Sequence, residues 1–573
     1  MKFIHGLHYN NIRGDVYGGL TAAVVALPLA LALGVSSGAG PIAGIYGAIF
    51  VGFFAAIFGG TPSQISGPTG PMTVVMAVIF TEYTSMFPDR PEYGAALAFS
   101  VVLMGGLFQI LFGVLKLGKY INLIPHPVTS GFMSGIGVII ILLQFGPLFG
   151  HAALSGPLDS AMAIPGILAN PVPDALIMGG LALAIVYLLP KKLNHLVPSP
   201  LMALIVGTLV LYLWQGSEIN ASMDHGKTLF TVGTVSVLGN IPTGLPSPQL
   251  PIFELALLTG MLKSALMLAA LGSIDSLLTS LVADNVTRTY HESDRELIGQ
   301  GIGNTIAGFF GGLPGAGATM RTVVNVRAGG RTPISGALHA LVLLAIVLGA
   351  GVVARYIPHA LLAGILVKVG TDIIDWDYLK RIRTAPRAGV AMMFTVLLLT
   401  VFVDLITAVA IGMIMAAFVF MQRMVNLQLD SITAITEPHK EFPLSEEETQ
   451  ILADAKGRIL LYHISGPMSF GAAKGVARRL ASFDEYDILI LDLTDVPQVD
   501  FTSTRAIDDM LHDAWDSGRE AFLVGCNSSV RNMLKKQGVI DKINDDHIKN
   551  ERVSALKDGL KMIQARTSHK SHV

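Results

Sequence analysis

The sequence predicts an α-helical membrane protein of about fourteen passages in two inverted halves of about seven, followed by a small soluble α/β domain. Three observations point there. Of 573 residues, 52% are hydrophobic and 14% charged, against roughly 25% charged in an average soluble protein. Charges are sparse from residue 15 to 370 and dense after 430, so the chain is written for lipid first and water second. Two apolar stretches are too short or interrupted to cross as ordinary helices, and each follows a glycine-proline cluster at the same place in its half.

A span needs about 20 apolar residues, with roughly 17 to 25 tolerated. Stretches 16–35, 42–59, 95–115 and 128–149 meet this, and 175–189, 201–214, 253–282, 297–310, 334–353, 360–374, 390–401 and 405–421 read as further spans, several of them short. The interrupted stretches, 71–87 and 319–326, each stand third in their halves, about 14–215 and about 252–428 of a transport domain covering 1–429. Thr73-Val74-Val75 in the first is echoed by Thr322-Val323-Val324 in the second. Broken spans at matching positions point to an inverted-repeat transporter whose site lies near the bilayer midplane.

Lys and Arg accumulate in short cytoplasmic loops. With the N-terminus inside, the inner loops hold Lys116, Lys119, Lys191, Lys192, Arg288, Arg295, Arg327, Arg331, Lys380, Arg381, Arg383 and Arg387, while the outer loops hold only Arg90, Lys227 and Arg355. Both termini are then expected in the cytoplasm, at the plasma (inner) membrane. The single cysteine, Cys526, allows no intrachain disulfide and suits that compartment. Residues 430–455, with Pro438 and Pro443, read as a linker. In 456–573, strands at 458–464, 487–493 and 521–524 alternate with helices at 471–483 and 504–515, ahead of a polar tail.

The candidate chemistry sits at the broken spans. Ser66-Gly67-Pro68-Thr69-Gly70-Pro71 and Pro314-Gly315-Ala316-Gly317-Ala318-Thr319 suit two half-helices whose N-termini begin inside the membrane. Each N-terminus carries roughly half a positive charge, so two facing ends suit a small monovalent anion. Thr69 and Thr319 add hydroxyls, and amides near Ala318 add backbone donors. Asp275 lies in a long apolar passage, where a lone carboxylate costs on the order of 2.5 to 3.5 kcal/mol. It needs a cation or a proton. Thr279, four residues on, shares its helical face, and the carbonyl of Gly317 offers another hard oxygen ligand for sodium. Arg321 either lends positive potential to the anion pocket or anchors the inner surface, the latter being favoured, and Asp284 reads as structural. Lys263 and Lys368 read as snorkelling or structurally paired, and His126, His339 and His359 stand singly near span ends without metal-ligand spacing.

A net charge of −2 gives no basic footprint for nucleic acid. Gly299, Gly301 and Gly303 imitate a dinucleotide fingerprint, but Asn304 replaces its last glycine and no strand precedes it. No enzymatic signature remains.

Gly59-Gly60-Thr61-Pro62 running through Gln64 into Ser66-Gly67-Pro68, then Asp275-Ser276-Leu277-Leu278 and the stretch 304–321, resemble the sulfate permease (SulP) family. The resemblance runs from about residue 14 through the terminal domain, and is closest to the sodium-dependent bicarbonate transporters of that family. It implies a uracil-transporter-like fold, a C-terminal STAS domain, a homodimer and a cytoplasmic regulatory partner. It further implies that Thr69, Ala318 and Thr319 contact bicarbonate, that Asp275, Thr279, Gly317 and Thr319 hold sodium, and that no cofactor besides this coupling ion is needed. Two positions depart from the family. Pro28-Leu29 stands where many members have proline-glutamine, and Asp500-Phe501 stands where related soluble domains carry a phosphorylatable serine, leaving Thr502 as a weaker candidate. The expected activity is secondary active import of bicarbonate with sodium. The alternatives are a proton-coupled sulfate or dicarboxylate symporter, an anion channel or exchanger, and a membrane-tethered signalling scaffold.

Overall fold

The computed structural model describes residues 4–154, 156–190, 193, 197–216, 218–224, 227–239, 247–403, 405–438 and 442–570. Lys191 and Lys192, counted among the inner-loop charges, lie outside these residues.

Every expected passage coincides with a helix. In the first half these are α1 (Ile12–Ser36), α2 (Pro41–Phe58), α3 (Gly70–Met86), α4 (Pro91–Val114), α5 (His126–Leu148), α7 (Pro173–Leu188) and α8 (Ser199–Gln215). The second half supplies α9 (Leu258–Thr287), α10 (Ser293–Phe309), α11 (Thr319–Arg327), α12 (Pro333–Ala354), α13 (His359–Ile373), α15 (Arg387–Phe402) and α16 (Leu405–Asp430). Proline in the first turn starts many of them, because its missing N–H would have no helical partner there. Among the described residues six helices are each long and apolar enough to cross a membrane, and the others are shorter or bent.

Several elements were not expected. A short helix α6 (Pro157–Ala169) precedes α7 at an angle of 117°, and α14 (Trp376–Lys380) stands between α13 and α15. Between the halves, β2 (Asn220–Asp224), β3 (Lys227–Val232) and β4 (Val235–Val237) form an antiparallel sheet. Helix α9 starts at Leu258 rather than at 253.

Small residues let the helices of the membrane part approach closely. A Cβ on Gly299 would stand 2.4 Å from Gly59 N, one on Gly301 2.6 Å from Gly106 O, and one on Gly303 2.9 Å from Val51 Cα. The glycines that imitated a nucleotide fingerprint are packing contacts of α10.

A second compact unit begins at Ile414, inside α16. Its five-stranded sheet has the order β10-β9-β8-β7-β6, with β6 (Thr433–Ile435) antiparallel to β7 (Ile459–Ser465), and with β8 (Ile488–Asp495), β9 (Glu520–Val524) and β10 (Ile548–Lys549) parallel. Alternate strand residues point to opposite faces. One set, including Leu460, Tyr462, Leu489 and Leu491, packs on α18 (Phe470–Leu480), α19 (Phe501–Asp516) and α20 (Ser528–Lys536). The other, including Ile459, Leu461, Ile490 and Phe522, packs on α17 (Glu446–Ala455) and α21 (Arg552–Lys570). The stretch expected as a linker thus contributes β6 and α17 to the domain, the helix started by a Ser445–Glu448 capping box. The expected polar tail is largely helix α21, which buries Ala555, Leu556 and Ile563.

Candidate functional site

The two broken segments meet. The residues Ser66–Gly67 (β1) lead into α3, and Ala316–Gly317 (β5) lead into α11. These strands pair antiparallel, Ser66 with Gly317 and Gly67 with Ala316. Glycine makes the approach possible, since a Cβ on Gly315 would stand 2.5 Å from the Gly67 carbonyl carbon. Ala318 N–H donates to Ile65 O at 2.8 Å, Ile65 N–H donates to Thr322 Oγ1 at 3.0 Å, and Arg321 Nη2 donates to Pro68 O at 2.6 Å. Non-helical backbone in a membrane core must find its hydrogen bonds within the protein. Here each broken segment supplies partners for the other.

Thr69 and Ala318 are the N-cap residues of the two half-helices, both in extended backbone. The first-turn N–H groups of Gly70 and Met72 on one side, and of Thr319, Met320 and Arg321 on the other, lie outside the helical ladder. They are the donors that an anion at the tips would meet. The Ala318 amide is not one of them, because it is already given to Ile65. The backbone donors expected near Ala318 are thus the amides just after it. Thr69 is buried, and its hydroxyl has no hydrogen-bond partner in the protein. Ile140 of α5 and Ile373 of α13 come up against Gly70, closing one side of that tip with apolar surface.

Beside the crossing lies a cluster of oxygens. Thr279 Oγ1 is 2.9 Å from Gly317 O and 2.8 Å from Thr319 Oγ1. Gly317 N–H donates to Ser276 Oγ at 3.1 Å, which fixes the peptide that presents this carbonyl. Asp275 stands one turn before Thr279, is 6% exposed, and has an Oδ2 without a hydrogen-bond partner in the protein. The Thr69 hydroxyl approaches this carboxylate, and the Arg321 guanidinium lies within electrostatic reach of it. Two hydroxyls, one carbonyl and one carboxylate are the donor set of a small hard cation. Of the sequence-derived residues, Thr279, Gly317 and Thr319 are in contact, and Asp275 stands one helical turn from Thr279 on the same helix.

Arg321 joins the site, and the other singled-out residues stand apart from it. Arg321, favoured as a surface anchor, is 3% exposed in the core, with Nη1 facing Gly67. His339, expected near a span end, is fully buried. Asp284 accepts from His291 Nδ1 at 2.7 Å and is structural. Lys368 pairs with Asp372, and Lys263 is exposed.

Sequence reasoning missed a row of polar side chains on α10, four residues apart. Glu296 accepts Gly60 N–H and Thr61 N–H, both at 2.9 Å. Gln300 donates to Ser66 Oγ at 2.6 Å. Asn304 accepts Gly315 N–H at 2.7 Å and donates to Gly315 O at 2.9 Å, as a strand edge would. One helix face grips the approach to β1 and the approach to β5. The signal was there in the spacing of Glu296, Gln300 and Asn304, polar residues four apart on one face of the helix.

Comparisons with known proteins agree with this architecture. The sulfate permease family model matches residues 12–396, and the STAS domain model matches 450–555. The bicarbonate transporter BicA of Synechocystis is 43% identical over 561 residues, covering 98% of this chain and 96% of that protein. The BicA of Picosynechococcus is 43% identical over 563 residues, covering 98% and 97%. Among solved structures, the transmembrane domain of a cyanobacterium BicA is 48% identical and covers 71% of this chain and all of that one, with a TM-score of 0.63. The murine anion transporter Slc26a9 shares the fold at 17% identity, with a TM-score of 0.77 over 97% of this chain and 92% of its own. With a helical membrane part built around two crossed broken segments and a five-stranded α/β domain after it, this chain is an integral membrane member of the sulfate permease family that ends in a STAS domain.

Proposed function

We propose that the protein imports bicarbonate coupled to sodium. The observation that carries this reading is the antiparallel pairing of Ser66–Gly67 with Ala316–Gly317, which sets two helix N-termini beside the oxygens of Thr279, Gly317 and Thr319. Sodium takes Asp275, Thr279 Oγ1, the Gly317 carbonyl and Thr319 Oγ1. Bicarbonate takes the Thr69 hydroxyl and the first-turn amides that start at Thr319, with Arg321 and the two helix ends supplying positive potential. The relatives that match nearly the whole chain are named bicarbonate transporters, which favours this anion over sulfate.

The charges support pairing of the two ions. Asp275 and Arg321 balance, and so do one sodium and one bicarbonate. Each ion stabilises the other at close range, and by linkage each raises the affinity for the other equally. A pair of opposite ions adds no net charge to the site, and is cheaper to carry through a dry, closed conformation than either ion alone.

The test is uptake of labelled bicarbonate into proteoliposomes with and without an inward sodium gradient. Sodium should accelerate uptake. Equal uptake in both removes the coupling, and stimulation by external acid with competition by sulfate points instead to Asp275 carrying a proton.

A further inference from the structure

One carboxylate of the membrane part belongs neither to the cation cluster nor to the helix ends. Glu296 is 1% exposed, and both of its oxygens are filled by uncharged donors. Oε2 accepts the Gly60 and Thr61 amides, and Oε1 accepts the side-chain amides of Gln64 and Gln300 at 2.7 Å each. Four N–H groups converging on two oxygens suit a carboxylate, because a carboxylic acid would turn its own proton against one of them. Ser280 Oγ donates to Gln64 Oε1 at 3.1 Å and so keeps the Gln64 NH2 turned toward Glu296.

Gln64 stands between this carboxylate and the cation cluster. A Cβ on Gly317 would meet Gln64 Nε2 at 2.3 Å, and the same nitrogen donates to Glu296. Glu296 is therefore held within about 7 Å of the Gly317 backbone, where charges act across a dry interior with little screening. At the crossing, Asp275 and Glu296 against Arg321 leave one excess negative charge, the further buried carboxylate Asp15 being taken up by the Arg331 and Thr332 amides instead.

We propose that Glu296 is a fixed counter-charge that gives the empty core its preference for a cation and makes sodium enter before the anion. The inference rests on the sodium-coupled reading above. Until a cation arrives, the excess negative charge opposes the attraction of Arg321 and the helix ends for the anion. Once sodium is seated among Asp275, Thr279, Gly317 and Thr319, that opposition is cancelled and the amides at the tips become an effective anion site. Glu296 acts through the field and through Gln64, without touching either ion.

The experiment measures ion binding to the full-length purified protein by thermal shift, together with uptake in proteoliposomes. In the wild type, sodium alone should raise the melting temperature, bicarbonate alone should not, and bicarbonate should act once sodium is present. Glu296→Gln should raise the half-saturating sodium on the order of tenfold and strengthen bicarbonate binding in the absence of sodium. The opposite signs matter, because mere loosening of the loop at 60–64 would weaken both ions. Weakening of both, or an unchanged sodium requirement, overturns the proposal while leaving sodium coupling in place. If Glu296→Gln cannot be isolated folded, the wild-type order decides: equal stabilisation by bicarbonate with and without sodium overturns the role of Glu296. Wild-type uptake indifferent to sodium overturns the coupling and this inference together.

Discussion

Gly315→Ala tests the crossing on which the site is built. The new methyl would stand 2.5 Å from the Gly67 carbonyl carbon, 2.7 Å from its oxygen and 2.9 Å from its Cα. All three atoms are backbone, so no flexible side chain can swing aside. Relief to an ordinary contact needs a movement of about 1 Å, and overpacking of this kind typically costs about 1–3 kcal/mol. The same movement stretches the Ala318–Ile65 bond, now 2.8 Å, and the Asn304–Gly315 pair at 2.7 and 2.9 Å, each worth about 1 kcal/mol. The total, about 2–4 kcal/mol, falls on the geometry of the tips rather than on insertion of the helices. A misplacement of about 1 Å at a reacting or binding centre is enough to lower turnover about a hundredfold. The assay is bicarbonate uptake at matched protein incorporation, with Gly180→Ala as the control, because a Cβ at Gly180 meets nothing within 4 Å. Wild-type uptake by Gly315→Ala would refute the reasoning.

Three further outcomes are expected. Asp275→Asn should insert normally and lose sodium activation of uptake; unchanged sodium activation rules this carboxylate out as a ligand. In the terminal domain, burial pushes the Asp492 carboxyl up, but hydrogen bonds from His463 and Thr494 more than offset this and hold it below the usual carboxylate range. A carboxyl depressed in the fold contributes stability above its unfolded value and loses it as pH falls through the folded value. The acid-side fall in the domain's melting temperature should therefore be shallower in Asp492→Asn, and an identical acid limb contradicts the assignment. Burial pushes the Cys526 thiol up to about 12, so alkylation at pH 8 should be slow in the native protein and quick after unfolding; fast native labelling would show that the thiol is not held protonated.

The passages were legible because lipid selects long apolar runs, and the crossing was legible because the glycine-proline clusters at 66–71 and 314–319 interrupt two of them. The cation cluster followed from Asp275 and Thr279 sharing a helix face. What escaped was whatever depended on a partner distant in sequence. Glu296 stands just before the apolar run 297–310, and only the fold brings loop residues 60, 61 and 64 around it. Arg321 reads as an anchor because α11 is short, and only the pairing of β1 with β5 shows that its guanidinium turns inward onto Pro68. Which of the amides near Ala318 are free depends on Ile65, which takes that of Ala318 itself. The capping box at Ser445-Glu448 was present in the sequence and would have marked α17, but the two prolines nearby argued for a linker.

The main-chain bonds between Ser66–Gly67 and Ala316–Gly317 restrict how cargo is handed across the bilayer. Neither tip can retreat alone without stranding amides and carbonyls in a place that water does not reach. The two tips therefore form one body, so that a displacement of one entails the same displacement of the other. The side chains of Ile140 and Ile373 beside Gly70 offer that body only dispersion contacts, a smooth wall next to a stiff frame.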